Sequence, residues 1–385
     1  MTFIKNAKLV TPESVIEGAL VVQDGKIKDV GYTGEIPAEA KAIDANGAFV
    51  TPGFVEIHLH GGGGYDFMDA TEEAFDGIAA AHRAHGTTTL LPTAVACPPE
   101  QMYALFDMYR KLKDKGCVHY AGLHLEGPYI SMEQKGAQNP TYVRNPEKAE
   151  IDELLERGGD IVKMCTAAPE LPGIEYLASE FKKRGIVLSV GHSDAIYADV
   201  EKAHAMGFSH FTHLYSNTPT VRKINQVLYA GVREAAYLLE DMDIELIADG
   251  CHLAKEVLLL ALKVKGADKI NLTSDAMRAA GTNVTESFLG AKLPENRVII
   301  EGGVAKLPDR SFFAGSIATG DIMLRWAHKK CGVGLPTAVK MLSLTPARII
   351  GLDKCKGSLE VGKDADLAFW DADFNIQKTM LCKEI

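Results

Sequence analysis

Eight short apolar runs, separated by stretches of helical character, constrain this chain more than any other feature. They fall at residues 54–58, 87–91, 120–125, 161–165, 186–190, 209–212, 244–247 and 270–273. Amphipathic or alanine-rich stretches lie between most of them, at 72–85, 99–115, 174–184, 195–206 and 255–265. Strands buried on both faces read as near-continuous apolar runs, and parallel neighbours need a long crossover between them. Eight such units predict an α/β chain folded as a (β/α)8 TIM-type barrel. A doubly wound open sheet is the rival, but it would not need eight units.

The ends of the chain have a different grain. Strand signals at Phe3–Val10, Ala19–Val22, Lys26–Val30 and Ala48–Val50 are divided by Asp24-Gly25 and Asn46-Gly47. Asp-Gly between two such runs is a strong hairpin signal. Near the end, Lys356 to Trp370 returns to hairpin-like β character. We therefore expect residues 1–50 and 348–385 to fold together as a small β-sandwich domain flanking a barrel over 51–347.

Of the 385 residues, 46% are hydrophobic and 24% charged, as in an ordinary globular protein. A net charge of −10 argues against nucleic acid as a partner. A phosphorylated ligand is still allowed, because a pocket can be locally basic in an acidic protein. The seven cysteines are scattered without a Cys-x-x-Cys pair, which suits reduced thiols. No signal-like segment opens the chain, and no apolar run nears the ~20 residues that span a bilayer. The expectation is a cytoplasmic protein that does not engage a membrane.

Barrel enzymes place their chemistry at the C-terminal ends of the strands. After the first run stands His58-Leu-His60-Gly-Gly-Gly-Gly64. Side chains alternate along a strand, so both imidazoles point to one face and can chelate one ion. The third run ends at Glu126-Gly-Pro128, where Gly and Pro stop the strand. Later runs lead into Gly191-His192-Ser193, Thr212-His213-Leu214, Asp249-Gly-Cys-His252 and Ser274-Asp275-Ala276. Each puts a ligand-type or acidic residue beside small neighbours. Imidazoles with one carboxylate suit zinc or another divalent transition metal, with a position open for water. A bound divalent ion lowers the pKa of such a water toward ~7. Asp275 would then act as general base and, later, general acid.

These motifs, with Pro52-Gly-Phe-Val-Glu-Ile-His-Leu-His60, His124-Leu-Glu-Gly-Pro128 and Ala248-Asp-Gly-Cys-His252, resemble the amidohydrolase superfamily. More narrowly, they resemble its N-acetylglucosamine-6-phosphate deacetylases. The tail, Thr345-Pro-Ala-Arg348 and Gly357-Ser-Leu-Glu-Val-Gly-Lys-Asp-Ala-Asp-Leu367, is similar to the superfamily's C-terminal signature. The resemblance implies that Glu126, His192 and His213 bind the principal metal, and that His58 and His60 help to hold a second in some members. It implies Asp275 as the catalytic acid/base, His252 as a substrate ligand, and Ala314-Gly-Ser316 near the substrate. One or two divalent ions per chain are expected, zinc first, with Fe, Mn or Co as alternatives. The implied reaction removes acetate from N-acetylglucosamine 6-phosphate, in amino-sugar catabolism.

Two departures from the family pattern qualify the substrate. Where the family has histidine in Lys-Gly-Ala-His-Asn-Pro, this chain has Gln138, whose amide can still donate a hydrogen bond. The segment expected to bind sugar phosphate reads Ser216-Asn217-Thr-Pro-Thr-Val-Arg222-Lys223. Arg222 and Lys223 could grip a phosphate as charge-assisted donors, although they do not align cleanly with the family arginine. The substrate-site candidates are therefore Gln138, Ser216, Asn217, Arg222, Lys223, His252 and Ser316. The partner is a small acetylated amino-sugar phosphate, and the resemblance implies a homodimer. Alternatives are N-acetylgalactosamine 6-phosphate, another N-acyl compound, or a metal-binding barrel without catalysis. His82 and His85 are expected on a surface helix, and His124 either supports the ligands or packs in the core.

Overall fold

A computed structural model describes residues 1–117 and 119–385. Eight strands follow one another around a single sheet in chain order: β1 (Phe54–Leu59), β2 (Thr87–Ala94), β3 (Leu123–Glu126), β4 (Val162–Ala167), β5 (Val187–Val190), β6 (Phe208–Phe211), β7 (Asp243–Ile247) and β8 (Ile270–Thr273). All neighbours pair in parallel. Helices α1 (Glu72–Arg83), α2 (Pro99–Asp114), α3 (Lys148–Gly158), α4 (Ile174–Lys183), α5 (Tyr197–Met206), α6 (Val232–Leu238) and α7 (Lys255–Lys265) return the chain from one strand to the next. The architecture is the expected barrel. β3 starts later than its apolar run because Gly122, at φ 138°, kinks the chain immediately before it.

The ring does not close through a regular ladder between β1 and β8. Instead, just beyond the strand ends, Asp275 N–H donates to His58 O at 3.2 Å and His60 N–H to Ala276 O at 2.7 Å. Lower in the seam, Glu56 accepts from the Thr273 hydroxyl and from Ser274 N–H. Side chains thus complete what the backbone leaves open.

The barrel's inner face is unusually polar. His124 bonds Thr166 at 2.7 Å, Thr166 bonds Thr212 at 2.7 Å, and Ser189 bonds both Thr212 and His210. All of these side chains are buried, and the network is what makes their burial tolerable. The apolar core lies mainly outside the ring, between strands and helices, in residues such as Phe75, Phe106, Phe181 and Leu272.

The terminal segments share one seven-stranded sheet. Its path runs Ile376–Met380, Leu367–Trp370, Phe49–Pro52, Thr2–Val10, Val15–Gln23 and Lys26–Tyr32, with Lys41–Asp44 also pairing on Thr2–Val10. Asp24 and Gly25 both take positive φ at the expected hairpin. Ile4, Leu9, Leu20, Val50 and Phe369 give this sheet its own core, and Trp370 stacks on Phe54 to join it to the barrel. An element not expected from the sequence follows β8. It is a four-stranded antiparallel sheet of Glu286–Phe288, Arg297–Glu301, Val304–Lys306 and Phe313–Ser316. Among the described residues no helix is long and apolar enough to cross a membrane.

His82 corrects the expectation of a surface residue. It is 1% exposed on the inner side of α1 and its Nε2–H donates to Gly61 O at 2.9 Å. Glycine at position 62 leaves the room, since a Cβ there would lie 2.7 Å from that same nitrogen. Burial, with His85 nearby, lowers the His82 pKa to about 4 from an ordinary 6.5. The unfolded chain therefore takes up this proton below pH 6.5, while the folded one resists until about pH 4. His82 should then destabilise the fold progressively across that window on acidification, by roughly 3 kcal/mol in total. A His82→Gln variant should lose less stability than the parent between pH 7 and pH 4.5 in urea titrations; parallel losses would refute this account.

Candidate metal centre

At the mouth of the barrel, strand ends from opposite sides meet. Glu126 ends β3, and its Oε1 lies 2.8 Å from His213 Nε2, 3.0 Å from His192 Nε2 and 3.4 Å from His58 Nε2. Its Oε2 lies 3.3 Å from His60 Nε2. Asp275 Oδ1 is 3.2 Å from His60 Nε2 and 3.7 Å from His58 Nε2. Two overlapping triads, His58–Glu126–His213 and His58–His60–Asp275, have ligand atoms close enough to hold an ion. All five side chains are buried.

The backbone is bent to make this possible. His192, His213 and Asp275 have φ of 47°, 26° and 48°, the left-handed region that side chains disfavour. Each such residue costs on the order of 1–3 kcal/mol and persists only where its surroundings enforce it. Three of them around one point mark a candidate functional site.

The imidazole tautomers give the fit test for a metal. His60 Nδ1 faces Thr93 O at 3.2 Å, His192 Nδ1 faces Gln134 O at 2.8 Å, and His58 Nδ1 faces the Glu245 carboxylate at 2.7 Å. An acceptor at Nδ1 requires a proton there. In the neutral ring the lone pair is then on Nε2, pointing inward. His58 Nε2 is buried without a hydrogen-bond partner. His192 and His213 bring their Nε2 atoms to 3.1 Å, a contact that a shared cation explains. The residues fit a divalent ion.

Burial opposes charge on His60, but hydrogen bonds to Asp275 and Glu126 raise its pKa to about 10. Burial likewise opposes ionisation of Glu126, yet His58 and His192 hold its carboxyl well below the usual range. An ion would displace such protons on binding.

Above the centre opens a cavity whose lining includes Gln138, Ser216, Asn217 and His252, with Leu289, Phe312 and Phe313 as an apolar wall. The wall comes from the unexpected four-stranded sheet and its turns. The structure thus brings together nine of the thirteen residues singled out from the sequence at the cavity surface, with His58 beneath it. Three lie elsewhere. Ser316 is buried, its hydroxyl donating to Ser274 O and its N–H to Asp275 O, so it braces the Asp275 turn while Gly315 faces the cavity. Arg222 and Lys223 sit on a hairpin of Arg222–Ile224 and Val227–Tyr229, outside the cavity lining. Arg222 is committed to Asp194, by a 2.5 Å ion pair and a bond to its carbonyl.

Gln138 is fixed at both ends of its amide. Its Oε1 accepts from Ala96 N–H at 2.8 Å, which leaves Nε2–H to donate to Glu126 Oε2 at 2.7 Å. The amide clamps the Glu126 carboxylate. His252 is oriented by Asp249, whose carboxylate accepts from its Nδ1–H at 2.7 Å. His124 lies fully buried under His58, ring centroids 4.8 Å apart, and supports the floor.

A family model described as "Amidohydrolase family" matches residues 49–382. The chain belongs to the amidohydrolase family. Within it, the Haemophilus influenzae N-acetylglucosamine-6-phosphate deacetylase is 31% identical over 98% of this chain and 97% of its own. The Homo sapiens protein of the same name is 30% identical over 99% and 93%. Among solved structures, the Pasteurella multocida N-acetylglucosamine-6-phosphate deacetylase superposes with a TM-score of 0.92 at 30% identity, covering 100% of this chain and 98% of that one. A mutant Mycobacterium smegmatis enzyme, solved in complex with N-acetyl-D-glucosamine-6-phosphate, gives 0.89 at 30%, covering 100% and 98%. This amidohydrolase therefore shares its whole length with deacetylases of one name.

The expected metal content is at least one divalent ion per chain, and two if both triads fill. Elemental analysis of protein purified without chelators checks it. Fully active protein without any ion would overturn the assignment.

Proposed function

We propose that this amidohydrolase is a metal-dependent deacetylase. It would hydrolyse the linear acetamide C–N bond of N-acetylglucosamine 6-phosphate to glucosamine 6-phosphate and acetate, in amino-sugar catabolism. The convergence of four inward-facing imidazole nitrogens, Glu126 and Asp275 beneath a cavity with polar and aromatic walls carries this reading. The full-length likeness to enzymes of that name supports the substrate.

Glu126, His192 and His213 would hold the principal ion, with His58, His60 and Asp275 able to take a second. A bound divalent ion there supplies Lewis acidity and makes water nucleophilic near neutral pH. Asp275 stands at the cavity floor, where its carboxylate can take the proton of the attacking water and return it to the departing nitrogen. The balance is one water added across the bond, hydroxyl to the acyl carbon and proton to the amine. Gln138 accepts from Ala96 N–H through its oxygen and turns its amide nitrogen to Glu126, donating to Oε2 at 2.7 Å with the main-chain oxygen at 3.5 Å, so its part is to hold Glu126 in place. His252, fixed through Nδ1, presents Nε2 to a sugar oxygen. Ser216 and Asn217 add polar contacts, while Phe312 and Phe313 can cover the apolar face of a pyranose.

A second reading rests on one observation. No Lys or Arg lines the cavity among the described residues. A 6-phosphate would be met by groups outside the lining, such as Lys223 or a partner subunit in a homodimer. Otherwise the substrate is a different N-acyl compound.

Acetate release from N-acetylglucosamine 6-phosphate, N-acetylgalactosamine 6-phosphate and unphosphorylated N-acetylglucosamine, each with and without chelator, separates these. Chelator-sensitive turnover of the first alone is the expected result, and turnover of the free sugar at equal efficiency would favour the second reading. Asp275→Asn should lower kcat by roughly 10²–10⁴-fold, with the ion held by Glu126, His192 and His213 retained. Undiminished turnover in that variant would sink the mechanism.

A further inference from the structure

Glu245 was not among the residues the sequence pointed to. It lies in the middle of β7, wholly buried, one turn of the pleat below the barrel mouth. Its Oε1 accepts two hydrogen bonds, from His58 Nδ1–H at 2.7 Å and from the backbone N–H of His213 at 3.0 Å. Its Oε2 accepts from Asn271 Nδ2 at 3.2 Å. Its own main-chain carbonyl receives Leu214 N–H at 2.8 Å.

His60 and His192 have their outer nitrogens set by main-chain carbonyls, which no side-chain change can remove. For His58 the acceptor is the Glu245 carboxylate, and on it depends which ring nitrogen carries the proton. His213 has no partner at Nδ1, and its backbone is held at φ 26°. What braces it instead is the pair of bonds that Glu245 makes to residues 213 and 214. A single carboxylate oxygen therefore touches one ligand from each side of the centre.

We propose that Glu245 is the positioning residue that ties the two halves of the metal centre together. It fixes the His58 tautomer so that Nε2 faces inward, and it holds the His213 turn in its strained form. Asn271 keeps the carboxylate in plane for both tasks. The inference rests on the metal reading above, and the test separates the failure of either.

Metal-free full-length protein is titrated with zinc against a competing chromophoric chelator, using the parent, Glu245→Leu, Glu245→Gln, His58→Asn and the Glu245→Leu/His58→Asn pair. Glu245→Leu should weaken zinc binding by roughly 10–100-fold, the range for lost outer-sphere partners. Glu245→Gln should recover part of that loss, because its amide oxygen can still accept both N–H groups. In the His58→Asn background the loss should shrink by roughly fivefold or more, on the scale of coupling within one network. Unchanged affinity in Glu245→Leu, or a loss undiminished without His58, overturns the proposal. Should Glu245→Leu not fold, Asn271→Ala, which frees only the far oxygen, takes its place. A few-fold loss that depends on His58 supports the proposal, and no loss refutes it. A parent protein that takes up no zinc refutes the metal centre itself.

Discussion

Four imidazoles and two carboxylates buried at the barrel mouth set an electrostatic condition that the rest of the structure must meet. Unpaired, any one of them would be costly to bury. Together they are tolerable because the carboxylates face the ring nitrogens and three of the four outer nitrogens have acceptors of their own, His213 Nδ1 being the exception. Thr93 O, Gln134 O and Glu245 supply those acceptors, and Gln138 satisfies the remaining oxygen of Glu126. The strained backbone at His192, His213 and Asp275 is a further cost of the same condition. That cost leaves four imidazoles and two carboxylates preorganised around one point.

The demand reaches down into the barrel. A ring filled with branched aliphatic side chains would take from Glu245 the Asn271 amide that satisfies its second oxygen. Here the interior below the centre carries Thr166, Ser189, His210, Thr212 and Asn271, each in contact with another polar group. Apolar packing is moved outward, to the interface between strands and helices. Stability and chemistry thus occupy opposite faces of the same eight strands.

Much of this was readable from the chain. The eight apolar runs located the barrel strands because the outward-facing residues carry the core, and the strand-end histidines and acids stood out against small neighbours. Glu245 escaped notice because it lies inside an apolar run and not at its end, although Asp243, Glu245 and Asp249 share one strand parity. His82 read as exposed because its helix is amphipathic, and only the space left by Gly62 shows where it goes. The four-stranded sheet over the cavity was announced only by Gly302-Gly303, a hairpin signal without flanking runs long enough to read as strands. Arg222 drew attention by charge alone. Its partner, Asp194, sits 28 positions earlier on another strand's exit loop, which no spacing rule could supply.

The seam between β1 and β8 has one more implication. Every other joint in the ring unites strands that follow one another along the chain, whereas this one brings residue 58 to residue 275. His58 and His60 stand on one side of it and Asp275 on the other, so the second triad straddles the only place where the ring's end meets its beginning. An ion held there would act as a clasp on the barrel. By mass action, its concentration would bear on how firmly the two ends stay joined. Chemistry and closure would then be governed by the same bond set, and a chain cut anywhere before β8 would lose both at once.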